Sequence, residues 1–394
     1  MRVFGVIVAT AVFTVAVTAP AWGEATAVAP PAAAASGTAG DAAPSAILDA
    51  ARARVAAGDT KGAIDELAPY VAKHPSDAAA GRLLGDLYFR VPDYARAEKI
   101  WRGVLALDPD DRETHSRLGS LYAVQDRIAD AIAEFQKSLP NRSGYVGLVT
   151  MHRRAGDLPV YLSRLEAQTR DHPFDAAAWT ELGQARLQLH QFDSALEALN
   201  RAVGLRPSAC SGRLELAYLL VDMRRIDPAI ANLKTCLQND HEYYPALVNL
   251  GEAYLEKNDA ATARPYFDRA LKVRAEGSEA LVDIGYIYDM TGDWKTATGY
   301  YNRAIRSDPM RPEAYINLGY DYNEHRFFPL AEAAFIKGLS VAADDGRLHY
   351  LLAVTYNVQG KIALARDEYR HALSSEEPDV VRAARAELAL LPPS

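Results

Sequence analysis

Long apolar runs are missing from almost all of this 394-residue chain. Beyond Leu48 no stretch is long enough to cross a bilayer as a helix. A basic surplus is missing too. The formal charge is -8, whereas a protein that neutralises nucleic-acid phosphates needs a cationic face, so nucleic acid is not an expected partner. Cysteine is scarce: Cys210 and Cys236 are the whole complement, too few for a four-ligand zinc site on their own. They are either two small buried thiols or one disulfide, which an exported chain permits. No H-E-x-x-H, G-x-S-x-G, P-loop or G-x-G-x-x-G stands in a suitable context. His115, His190, His325 and His349 are scattered without i, i+4 pairing and read as surface or helix-end residues. No enzyme activity, metal or cofactor is expected.

The N-terminus is the exception to the first absence. Arg2 precedes an apolar stretch from Val3 to Ala19, and small residues follow around Ala19 to Gly23. That layout is a secretory signal peptide over residues 1–23. The run is short for a span, which favours cleavage over retention as an anchor. Residues 24–43, rich in Ala, Pro, Gly and Thr without apolar periodicity, read as a flexible linker. The expected location is periplasmic or secreted.

What fills the rest is repetition. A small residue after an apolar one returns as Gly85, Gly119, Gly183, Ala217, Gly251, Gly285, Gly319 and Ala353. Alanines recur at Ala63, Ala97, Ala131, Ala195, Ala229, Ala263, Ala297, Ala331 and Ala365, each followed four residues on by an aromatic or Leu, such as Trp101, Phe135, Phe267, Tyr301 and Phe335. Most steps are 34 residues. The motif W-x2-L-G-x2-Y…A-x3-F…P appears nearly whole as Trp179, Leu182, Gly183, Ala195, Leu199 and Pro207.

With these residues the chain resembles the tetratricopeptide repeat family from about Pro44 to Asp379. The resemblance implies an all-α, right-handed superhelical solenoid of about ten antiparallel helix-turn-helix units. Repeats 1–3 are placed at residues 44–141, repeats 4–10 at 142–379, and a C-terminal capping helix and tail at 380–394. A cap suits an open stack, whose last apolar face needs cover. Gly-Asp pairs (Gly58-Asp59, Gly156-Asp157, Gly292-Asp293) are expected to turn the chain and cap each second helix. The third unit is short and the fourth carries Tyr161 where alanine belongs, so Leu139 to Ser143 reads either as a hinge or as a neutral loop deletion.

In this family the residues just before and just after the apolar-small pair face the concave groove. The first slot reads Leu83, Arg117, Glu181, Glu215, Asn249, Asp283, Asn317, Leu351; the second reads Asp86, Ser120, Gln184, Tyr218, Glu252, Tyr286, Tyr320, Val354. Early units are Arg-rich, with Arg82, Arg90, Arg117, Arg153 and Arg154. Later units are acidic and Tyr-rich. The candidate peptide-binding residues are Asn249, Glu252, Asp283, Tyr286, Asn317 and Tyr320. An Asn amide offers donor and acceptor together and suits the backbone of an extended peptide. The expectation is a non-enzymatic protein-protein interaction scaffold of a bacterial cell envelope. The alternative is a glycan-handling scaffold of a polysaccharide synthesis or export system, since Tyr rings beside amides and carboxylates also suit sugars.

Overall fold

A computed structural model describes residues 44–375 and 377–392. The signal peptide and linker read from the sequence lie outside the described residues. Among those described there are 21 helices and no strand. They form ten antiparallel pairs, from Pro44–Ala56 with Thr60–Lys73 to Gly346–Val358 with Ile362–Ala372, followed by a final helix Pro378–Leu390. None is long and apolar enough to cross a membrane.

Local chemistry starts and stops these helices. Asp77, Asp93, Asp111, Asp175, Asp259 and Asp345 each accept a hydrogen bond from a backbone N–H in the first turn of the following helix, a cap worth about 1 kcal/mol. Gly58 and Gly292 take the left-handed conformation (φ 87° and 80°) between paired helices, and Asp59 and Asp293 cap the second helix as expected. Asp157 differs. Its carboxylate makes no cap hydrogen bond and pairs with His152 Nδ1 at 2.9 Å.

The core lies within and between pairs. Trp101, Phe267, Tyr301, Phe335 and Tyr369 are fully buried. In five of the pairs a glycine lets an aromatic ring reach the facing backbone: a Cβ on Gly285 would lie 2.5 Å from Tyr301 Cε1. Tyr161, in the irregular fourth unit, is buried as well. It stacks on His152 at 4.1 Å between centroids and donates to Glu181 Oε1 at 3.0 Å. One apolar cluster runs from Ile47 through Phe135 and Leu148 to Ala198, so packing is continuous across Leu139 to Ser143. Cys210 and Cys236 are joined by a disulfide that ties the two helices of the sixth pair, with Cα atoms 4.8 Å apart. His115 is not a surface residue. It is buried, with Nδ1 on Glu134 Oε2 and Nε2 on the Pro109 carbonyl.

Rotation from pair to pair brings the solenoid round on itself. The first helix, Pro44–Ala56, packs on Trp294–Ser307 of the eighth pair, with Ala56 against the cluster of Leu281, Val282 and Ala297. Lys337 Nζ donates to the Ala56 carbonyl at 2.8 Å, bridging 281 residues of sequence. Arg90 reaches Met310 Sδ at 3.8 Å and donates to Ser340 Oγ. Met310 thereby covers part of the inner face of the early repeats, beside Asp86, Arg117 and Trp101.

Candidate partner-binding face

Along the concave face, the two slots read from the sequence meet across neighbouring repeats. A residue of one repeat pairs with the residue 31 positions earlier, because adjacent inner helices are offset by about one turn. Arg117 Nε and Nη2 hold both oxygens of Asp86 at 2.6 and 3.1 Å. Burial works against the Arg117 charge, but Asp86 and Glu113 outweigh it and hold the guanidinium above its ordinary range. Gln184 Nε2 donates to Glu215 Oε2 at 2.6 Å. Asn249 Nδ2 donates to Tyr218 Oη at 3.1 Å, and Arg142 lies 4.4 Å from the centre of the Tyr218 ring. The inner face is therefore a ladder of rungs, most of them satisfied from within.

The six candidate residues lie on three successive inner helices, Tyr244–Glu256, Ser278–Met290 and Pro312–Glu324. Asn249 is committed, since its amide also donates to the Pro245 carbonyl at 2.7 Å. Glu252 and Asp283 are half-buried and engaged with neighbours. Tyr286 and Tyr320 are half-buried. Burial, then nearby carboxylates, raises both phenols, Tyr320 to about 12, so both keep their O–H donors at neutral pH.

Asn317 stands apart. It is 3% exposed, and neither its Nδ2 nor its Oδ1 has a hydrogen-bond partner among the described residues. By the register of the other rungs its partner would be Tyr286, yet that rung is open. A buried polar group without a partner costs about 1–3 kcal/mol. The amide thus stands unsatisfied and closed off from solvent.

One turn further along Asn317's helix lies a group that sequence reading missed. Asp321 is buried, and burial followed by the neighbouring Asp289 carboxylate pushes it up to about 8. Tyr301 Oη donates to Asp289 Oδ2, and Thr298 Oγ1 lies 3.4 Å from Asp321 Oδ2. Two neighbouring buried carboxylates cannot both ionise at low cost, and both are raised, by burial first, which favours one proton on the pair near neutral pH. On the sixth repeat, burial also lifts Glu215, to about 7. Among the described residues no group of His, Cys, Asp and Glu could hold a metal ion.

A family profile described as "Tetratricopeptide repeat" matches residues 48–101, 84–146, 148–209, 214–279, 248–312 and 316–380. The chain belongs to the tetratricopeptide repeat family. Among curated relatives, it is 27% identical to superkiller complex protein 3 of Mus musculus over 226 residues, which is 51% of this chain and 14% of that protein. It is 24% identical to the protein O-mannosyl-transferase TMTC1 of Homo sapiens over 196 residues, 48% of this chain and 19% of that one. The chain thus spans under a fifth of the length of either relative. Two solved structures share the fold. The Cut9 and Hcn1 assembly matches with a TM-score of 0.50 at 17% identity, covering 87% of this chain and 83% of that one. A tetratricopeptide repeat protein from Parabacteroides merdae matches with 0.51 at 18%, covering 62% and 97%. The tetratricopeptide scaffold and its helix pairing are shared; these likenesses assign no ligand.

Proposed function

We propose that this chain is a non-enzymatic scaffold that holds an extended segment of a partner protein against the inner face of its eighth and ninth repeats. The unpartnered Asn317 amide carries this reading; its polar atoms are closed off from solvent, so a bound strand would have to reach them by shifting neighbouring side chains. A carboxamide that keeps a donor and an acceptor free matches one peptide unit of an extended strand. Tyr320, on the same helix, and Tyr286, on the inner helix of the preceding repeat, add apolar rings and phenolic donors, the combination favoured where a wet face meets a partner. Export to a bacterial periplasm or beyond is part of the proposal, supported by the apolar N-terminal stretch and by the Cys210–Cys236 disulfide, which suits an oxidising compartment.

Asn317→Leu tests the reading. It removes both polar atoms and keeps the branching. Relief of the unpaired amide, about 1–3 kcal/mol, is opposed by overpacking from the larger side chain, about 1–3 kcal/mol, so stability in urea unfolding is expected to change by less than about 2 kcal/mol. Peptide-array binding is expected to fall at least about tenfold, the loss of one well-formed hydrogen-bond pair in a buried site. Unchanged peptide binding by a folded variant refutes the clamp. A parallel glycan array decides the competing reading: glycan binding without peptide binding replaces the peptide proposal.

A further inference from the structure

The seam where the solenoid meets itself has an unusual charge balance. Arg90, at the end of the helix Ala78–Arg90, is half-buried and faces Met310 Sδ at 3.8 Å and Ser340 Oγ. Lys337, on the helix Phe328–Leu339, is half-buried and donates to the Ala56 carbonyl at 2.8 Å. Ser340 in turn donates to the Lys337 carbonyl at 2.6 Å, so both cations belong to one patch. Among the described residues, neither has a carboxylate within ion-pairing distance, whereas Arg82, Arg117, Arg311 and Arg347 all do. Burial lowers both Arg90 and Lys337, while every other displaced basic group among the described residues is displaced upward. Closing the solenoid therefore strips water from two charges and returns only a thioether, a hydroxyl and a carbonyl. An uncompensated charge is costly to bury, and the packing of Pro44–Ala56 on Trp294–Ser307 has to offset that cost.

We propose that this seam is a gate, and that an acidic segment of a partner protein opens it by giving Arg90 and Lys337 the carboxylates that the closed form lacks. Opening also withdraws Met310 from the inner face of the early repeats, where it lies beside Asp86 and Arg117. Both the gate and the Asn317 clamp involve the ninth repeat, but the gate uses none of the clamp residues and is read as a distance rather than as groove occupancy.

The test uses the full chain with its disulfide intact, labelled with a donor and an acceptor dye at Ala95→Cys and Ala333→Cys, both exposed positions. Oligoglutamate is the probe. Transfer between the dyes is expected to fall as the probe is added and to stay constant with oligolysine. Arg90→Met with Lys337→Met keeps the apolar stems and removes the charges; this variant is expected to show transfer at least equal to the parent and no response to oligoglutamate. Lower starting transfer in that variant overturns the proposal, since the cations would then be holding the seam together. No response of the parent at saturating oligoglutamate overturns it as well, and this arm stands even if the variant does not fold. Equal opening by free glutamate at matched carboxylate concentration overturns the assignment to a partner segment.

Discussion

Replacing Asp321 by Asn should convert a pH-dependent weakness of the ninth repeat into a constant. The folded-state value of Asp321 is raised to about 8 by burial and by Asp289, while an unfolded Asp titrates near 4. A raised carboxylate contributes its stability in full below the unfolded value, where both states hold the proton. As pH rises from there, the unfolded chain releases its proton and the folded chain does not. Stability then falls by about 1.4 kcal/mol per pH unit until the folded group itself ionises near pH 8. Between about pH 5 and pH 7.5 the ceiling on the loss is about 3.4 kcal/mol, and sharing of the proton with Asp289 reduces it. The substituted carboxamide would keep a neutral donor beside Asp289 at every pH. The gain of Asp321→Asn over the parent should therefore be about 2–3 kcal/mol larger at about pH 7.5 than at about pH 5. Urea unfolding at both pH values, followed together with amide-exchange protection of Pro312–Glu324, measures it, since repeat arrays need not unfold as one unit. A gain that is the same at both pH values, within about 0.5 kcal/mol, refutes the shared buried proton.

Two further substitutions set packing against propensity within one helix pair. Gly285→Ala places its Cβ 2.5 Å from Tyr301 Cε1; an overpacking cost of about 1–3 kcal/mol outweighs a helix-propensity gain of about 1 kcal/mol, so the urea midpoint should fall. Gly299→Ala, with open space around its Cβ, keeps only that gain of about 1 kcal/mol, and its midpoint should rise. Reducing the Cys210–Cys236 bond, which closes a separation of 26 residues, should cost about 3.5 kcal/mol by the chain-entropy relation, read as a lower unfolding midpoint of the sixth repeat with reductant.

The architecture was legible because it is written in columns. Gly85, Gly119, Gly251, Gly285 and Gly319 mark where a ring must reach the facing backbone, and Trp101, Phe135, Phe267, Tyr301 and Phe335 are those rings. The inner slots were legible for the same reason. What a single column hides is pairing between columns. Asn249 and Asn317 occupy the same slot, yet one is bonded to Tyr218 and the other to nothing, and only the relative placement of neighbouring helices decides that. Asp321 left a signal that register makes visible. Its column otherwise reads Leu87, Leu121, Ala185, Leu219, Ala253, Ile287 and Thr355, so a carboxylate there had to be buried. The disulfide was undecidable from two isolated cysteines. The contact of Lys337 with Ala56 was not legible at all, because it sums small rotations over many repeats and no local motif encodes such a sum.

An ordinary repeat array has two free ends, and thermal fraying begins there because an end unit has one neighbour instead of two. Here the first unit has a second neighbour, supplied by the eighth and ninth pairs. Unzipping from the N-terminus must first break that extra interface, so the array behaves more like a circular chain with a short tail than like a line. Deleting the opening helix Pro44–Ala56 would therefore loosen not only the second repeat beside it but also Trp294–Ser307, 250 residues downstream.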